Sequence, residues 1–246
     1  MKFQHNLNQL VDGHTSIEHS IPIAHIYEDV KQLWQATETG YVPTFGVAYG
    51  GISGENYFYD RTEVWRNERL MRYTPRQFVE PRSMRRTTAP DHHYNHINVA
   101  STAKALRDRG VPVMIGAHGQ REGLAAHWEM WMMVQGGFSP WEALRGATID
   151  AAKHLGMDKD LGSIEVGKLA DMAIVEGNVL NDIRRSEYVS HTMLNGRLYE
   201  AATMNEITTG TRSRKPFFFE GASGHLIPTE TADAVTTKSE RHHWRH

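Results

Sequence analysis

A strand, a helix and a second strand follow one another between residues 15 and 49, and the same order recurs further along the chain. Strands joined in this way lie parallel in one sheet only if the chain crosses over through its helices, which restricts it to an α/β layered fold. The first strand is Thr15-Ser16-Ile17-Glu18-His19, closed by Pro22, after a short apolar stretch at 7–11 that stops at Asp12-Gly13. Ile26, Val30 and Leu33 then keep helical spacing through Ala36, with Gly40 where a C-terminal cap belongs, and 41–49 reads as the next strand.

Between Gly50 and His96 the pattern breaks down into glycines, aromatics and a basic run at Arg82, Arg85 and Arg86. An insertion of this size is either a lid over a functional face or a structural cover. Regularity returns with Val99, Ala103 and Leu106 at helical spacing, Gly110 as the stop, and a buried strand at 111–115 running into Gly116-Ala117-His118-Gly119. A helix follows at 124–134. Ser139 then reads as an N-cap with Pro140 at the first helical position, opening a helix that extends to about Leu155. Beyond Gly156 the texture turns to short β runs, including a hairpin through Asn195-Gly196. The expected organisation is therefore a barrel-like part over 1–158 with a lid-like insertion at 50–96, a β-sandwich segment over 159–207, and an extended arm with a disordered tail over 208–246.

The chain has no cysteine, which excludes disulfides, thiolate metal sites and cysteine nucleophiles. Its formal charge of -2 gives no field favouring nucleic acid or an anionic membrane, so neither is expected as a partner. Nothing aromatic is interleaved with Arg82, Arg85 and Arg86 in a way that favours nucleic acid, and a solvated basic face is the expectation there. The N-terminus lacks the apolar core of a secretory signal, and no window reaches the roughly 20 apolar residues of a membrane span. A soluble chain is expected, cytoplasmic by default and exported if it is a piece of a longer precursor.

Several segments carry a resemblance. The run Leu161-Gly162-Ser163-Ile164-Glu165-Val166-Gly167-Lys168-Leu169-Ala170-Asp171 is similar to the segment joining barrel to β-sandwich in the amidohydrolase superfamily, especially its imidazolonepropionase-like members. Ser139-Pro140-Trp141-Glu142-Ala143-Leu144-Arg145, with Ala147-Thr148 and Ala151-Ala152, resembles the last barrel helix of that family, and Asn195-Gly196-Arg197 resembles its closing sandwich strand. The turn Gly116-Ala117-His118-Gly119-Gln120 and the excursion at 57–86 resemble a branch whose full-length members carry an N-terminal β-propeller.

The resemblance implies the last three strands of a TIM-type (β/α)8 barrel with their helices, then a β-sandwich segment. It makes 15–19 the sixth strand, 41–47 the seventh and 111–118 the eighth, with no counterpart for the first five. His19 then matches the sixth-strand metal ligand. His118 stands where most relatives place an aspartate that takes a proton from metal-bound water, and is carried over as a candidate ligand and general base, since a neutral imidazole can do either. The implied cofactor is a divalent metal, zinc in one or two copies. The implied activity is hydrolysis of a carbon-nitrogen bond in a small-molecule or peptide-like amide or cyclic amide.

His127 and Glu129, near the start of the helix at 124–134, are candidates for substrate binding at the barrel mouth, although a histidine at a helix start is more often a surface or capping feature. His14 is assigned to a loop, and Trp128, Trp131 and Trp141 to the core. A barrel without its opening strands carries unpaired edges, so a homo-oligomer or complementation by the missing half is expected. The rival expectation is a catalytically incomplete fragment acting as a complementing half or a binding scaffold.

Overall fold

The computed structural model describes residues 3–118, 121 and 123–220. The expected tail from 221 onward, and Gly119 and Gln120 of the turn motif, lie outside the described residues. Helix α1 (Phe3–Val11) precedes strand β1 (Ser16–Glu18), helix α2 (Glu28–Gln35) and strand β2 (Gly40–Val42). β1 and β2 pair in parallel with Ile17 opposite Tyr41. A third parallel segment joins on the far side of β2: Tyr41 bridges Val113, donating its amide to the Pro112 carbonyl at 2.8 Å and accepting from Met114 N–H at 3.0 Å.

These strands are shorter than their apolar runs suggest, for a local reason. After Val42 the chain reaches Thr44 at a φ of 53°, a left-handed conformation that ends pairing, and winds into a 3-10 turn at Phe45–Val47. Gly40 begins β2 instead of capping α2; the cap is Ala36, whose N–H reaches back to the Gln32 and Leu33 carbonyls. A β-carbon on Gly40 would stand 2.7 Å from the His154 ring, so glycine is needed there for close packing.

The 50–96 excursion is more regular than its sequence suggests. It contains helices α3 (Gly54–Arg61), α4 (Glu68–Tyr73) and α5 (Arg76–Met84). Phe58, Tyr59, Val64, Leu70 and Val79 from it are buried in the main core, and Phe58 stacks on Trp128 with ring centroids 4.7 Å apart. Its basic run at Arg82, Arg85 and Arg86 is exposed, with Arg82 paired to buried Glu55 and Arg86 over the Trp65 ring.

Helix α6 (His96–Arg107) leads to the third parallel segment, and helix α7 (Leu124–Gln135) follows. α7 is apolar nearly all round because it is surrounded, packing against α3, α6 and helix α8 (Pro140–Gly146). Ser139 caps α8 in a full capping box with Glu142. The single helix expected to Leu155 is two, since the chain breaks after Gly146 and resumes as α9 (Ile149–His154). Asp150 at the start of α9 is held by Arg107 and Arg145. Trp128 and Trp131 are buried as expected, but Trp141 is 59% exposed.

Strands β3 (Met172–Val175), β4 (Val189–Leu194) and β5 (Arg197–Glu200) form a separate antiparallel sheet in that order. Asn195 and Gly196, at φ values of 48° and 77°, make the β4–β5 hairpin turn. The segment after it does not run free through its described part: Glu206 bridges both Tyr199 and Arg212, and Arg214 stacks on Tyr73 and pairs with Glu220. No helix among the described residues is long and apolar enough to cross a membrane.

Candidate active site at the ends of the parallel strands

His19 sits immediately after β1. Its N–H donates to the Val42 carbonyl at 2.8 Å, continuing the ladder by one bond, but its φ is 70°. A left-handed conformation costs a non-glycine residue about 1–3 kcal/mol and persists only where the surroundings enforce it. It also takes the imidazole out of the simple alternation of the strand. The ring meets that of His118, which follows the third parallel segment, with centroids 4.9 Å apart and planes at 65°. Two residues 99 positions apart in sequence are thus neighbours at the same end of a parallel sheet.

Gly116 permits this approach. A β-carbon there would lie 2.5 Å from Val42 Cγ1 and 2.6 Å from Thr44 Oγ1, so only glycine lets the chain leading to His118 press against the end of β2. His19 Nδ1 is buried and has no hydrogen-bond partner. A buried polar atom left in this way is costly unless a ligand completes it. Its chemistry and its neighbour fit a cation that takes nitrogen donors. His19 and His118 are two such donors, and among the described residues no group of three or more histidine, aspartate or glutamate side chains gathers.

Glu129 does not line an open substrate surface. It is 1% exposed, and its carboxylate accepts from Phe45 N–H at 2.9 Å and Gly46 N–H at 2.7 Å. Burial pushes its pKa up to about 7, while the backbone donors at Gly46, Phe45 and Gly116 pull it back. His127 also points elsewhere. Its Nδ1 lies 3.2 Å from Ser186 Oγ, in the 3-10 turn Ile183–Glu187 between β3 and β4, and burial, reinforced by Arg69, pushes its pKa down to about 4. Both residues expected to bind substrate thus make contacts between elements. The readable signal for Glu129 was a lone carboxylate in a helix whose neighbours Trp128, Met130, Trp131, Met132 and Met133 are all buried, since a buried carboxylate needs donors.

Arg121 was not singled out by its sequence. It is 4% exposed, donates to the Tyr59 hydroxyl and to the Phe78 carbonyl, and lies 3.9 Å from Glu55. It ties the chain just beyond His118 to α3 and α5, which anchors the excursion beside the histidine pair.

A model of the amidohydrolase family matches residues 67–199, more than half of the chain. The imidazolonepropionase of Symbiobacterium thermophilum is 56% identical over 39 residues, covering 16% of this chain and 9% of that protein. The 5-methylthioadenosine/S-adenosylhomocysteine deaminase of Thermoanaerobacter pseudethanolicus is 41% identical over 68 residues, covering 28% and 14%. Among solved structures, a Xaa-Pro dipeptidase with bound methionine superposes with a TM-score of 0.51 at 24% identity over 80% of this chain and 42% of its own. Molinate hydrolase does so with a TM-score of 0.56 at 16% identity over 88% and 45%. The chain thus spans less than half of these structures and matches a small share of the curated relatives; the structural likenesses speak for the fold, and the family match assigns the rest: this chain belongs to the amidohydrolase family.

Proposed function

We propose that the chain supplies part of a metal-dependent hydrolase of carbon-nitrogen bonds, acting on a small-molecule or peptide-like amide or cyclic amide. The observation that carries this reading is the contact between His19 and His118, with His19 Nδ1 buried and unsatisfied. In this reading β1, β2 and the segment at 111–115 are closing strands of a TIM-type barrel, and β3–β5 belong to a small β-sandwich.

His19 and His118 would hold the cation, for which two imidazoles favour zinc. When bound, such a cation activates water and polarises a carbonyl. The left-handed backbone at His19 keeps its ring turned toward His118. His118 is exposed; a neutral imidazole has a single lone-pair nitrogen, so when it does not ligate the cation it is placed to accept a proton from water and return it to a departing nitrogen, the work an aspartate does in most relatives.

The test is zinc content and amide hydrolysis of the purified full chain. Stoichiometric zinc that disappears in His19→Ala with unaltered thermal unfolding, and hydrolysis abolished in His118→Ala, are the expected results. A well-folded chain that takes up no zinc rejects the reading. A second reading rests on the donor count, since two imidazoles alone make an incomplete coordination sphere: the chain would act as a complementing half or a binding scaffold. It predicts zinc uptake only in an oligomer, read by light scattering alongside metal analysis.

A further inference from the structure

We infer that Glu129 is the positioning residue of the histidine pair: its carboxylate fixes the turn after β2 onto helix α7, and that turn, packed against Gly116, sets the distance between His19 and His118. This deepens the reading above and rests on it. Glu129 acts through the backbone: it accepts from Phe45 and Gly46 just after β2, in the turn whose Thr44 packs against Gly116, two residues before His118.

The geometry makes the link tight. Thr44 is left-handed, which turns the amides of Phe45 and Gly46 in the same direction, and both meet oxygens of one carboxylate. Gly116 is packed against Val42 and Thr44 so closely that no side chain fits, and Val42 is the residue whose carbonyl receives the His19 amide. The chain of contacts runs from His19 to Val42, to the turn at 44–46 that Glu129 holds, to Gly116 packed against that turn and so to His118. A carboxylate is suited to this junction because it is all acceptor, whereas the amide of a glutamine would set N–H donors against backbone N–H donors. No apolar residue could satisfy these two amides.

Cobalt(II), a spectroscopic substitute for zinc, separates positioning from packing when titrated into the full chain by visible absorbance. Three proteins are compared: the native chain, Glu129→Gln, and Met133→Ala, which opens a gap one turn further along the same buried helix. Glu129→Gln is expected to weaken cobalt binding about 10–100-fold, the usual consequence of disturbing the support behind a metal ligand, and to alter the ligand-field spectrum. Met133→Ala is expected to leave both within about threefold despite an equal or larger loss in Tm. Native-like cobalt binding in Glu129→Gln overturns the inference, as does weakening in both variants in proportion to lost stability. If the native chain takes up no cobalt, the proposed function fails and the positioning role is read by NMR instead. Loss of the through-space contact between the two imidazoles in Glu129→Gln then supports it, and persistence of that contact overturns it.

Discussion

Ile17, Tyr41 and Val113, at the centres of three neighbouring parallel segments, are at most 1% exposed, whereas Ile174 in β3 and Leu194 in β4 are 44% and 61% exposed. The first sheet has only three paired positions between β1 and β2, yet its central side chains lie in the main core. The second has a longer ladder, with four paired positions on each side of β4, and little core of its own. Backbone pairing alone leaves a small sheet marginal in water, so β3–β5 depend on what docks them. That docking runs through α7: Trp131 Nε1 donates to the Ile183 carbonyl and to Ser186 Oγ, both at 3.0 Å, and His127 meets the same Ser186. The candidate chemistry lies in the enclosed region, and the other sheet is attached to the helix that supports it.

Removing the docking residue should break this arrangement most severely. Trp131→Ala deletes a large buried side chain and two hydrogen bonds, for an expected loss of about 3–5 kcal/mol in chemical denaturation. Native-state hydrogen exchange should show β3–β5 opening first, while the amides of Tyr41 and Met114 stay protected. Uniform loss of protection in both sheets would mean that they share one core after all. Trp131→Phe keeps most of the packing and removes only the donor, and should cost about 1–2 kcal/mol.

Acid should distinguish the regions next. Burial pushes both His96 and His127 down to about 4. Their unfolded imidazoles bind protons below about 6.5, so each contributes stability that is fully present above that pH and is lost as the pH falls toward 4, about 2–3 kcal/mol apiece at the acid end. Glu129 has the opposite sign: raised to about 7, it binds its proton more tightly folded than unfolded, so its contribution declines as pH rises from about 4.5 through 7. His127 lies at the junction of the two regions, so urea midpoints of His127→Gln at pH 7 and pH 4.5 should differ less than those of the native chain. An unchanged pH dependence would show that the junction does not carry this titration.

How much of this was legible depended on whether a residue's role is local. The spacing of Val99, Ala103 and Leu106, the Ser139 cap and the Asn195-Gly196 turn each act within a few residues, and each corresponds to an observed element. The approach of His19 to His118 was legible only through resemblance, because nothing near either residue encodes a partner 99 positions away. His127 and Glu129 were placed by proximity along the helix, but their contacts are with distant groups: Ser186 for one, the amides of Phe45 and Gly46 for the other. Three helices in the excursion were hidden because their buried faces are short, interrupted by Pro75 and Pro81, and completed by Trp128 from another helix. The strand ends were misjudged where Thr44 adopts a conformation its residue type seldom favours.

Within the second sheet, Asn195→Ala should cost about 1 kcal/mol, because a left-handed φ is tolerated better by asparagine than by alanine. The thermal midpoint of the β3–β5 transition should fall while that of the enclosed region stays in place.

The smallest effect is expected where the contrast between the regions is sharpest. Ile164 and Val166, in the segment leading to β3, are 87% and 107% exposed. Residues that touch little lose little: Val166→Thr should change unfolding stability by less than about 0.5 kcal/mol, since exposed substitutions away from caps and turns rarely do more. The substitution therefore measures whether the segment is bare in solution. A loss above about 1 kcal/mol that deepens with protein concentration would mean that the segment is covered by another copy, and the weak side of the comparison would belong to the isolated chain alone.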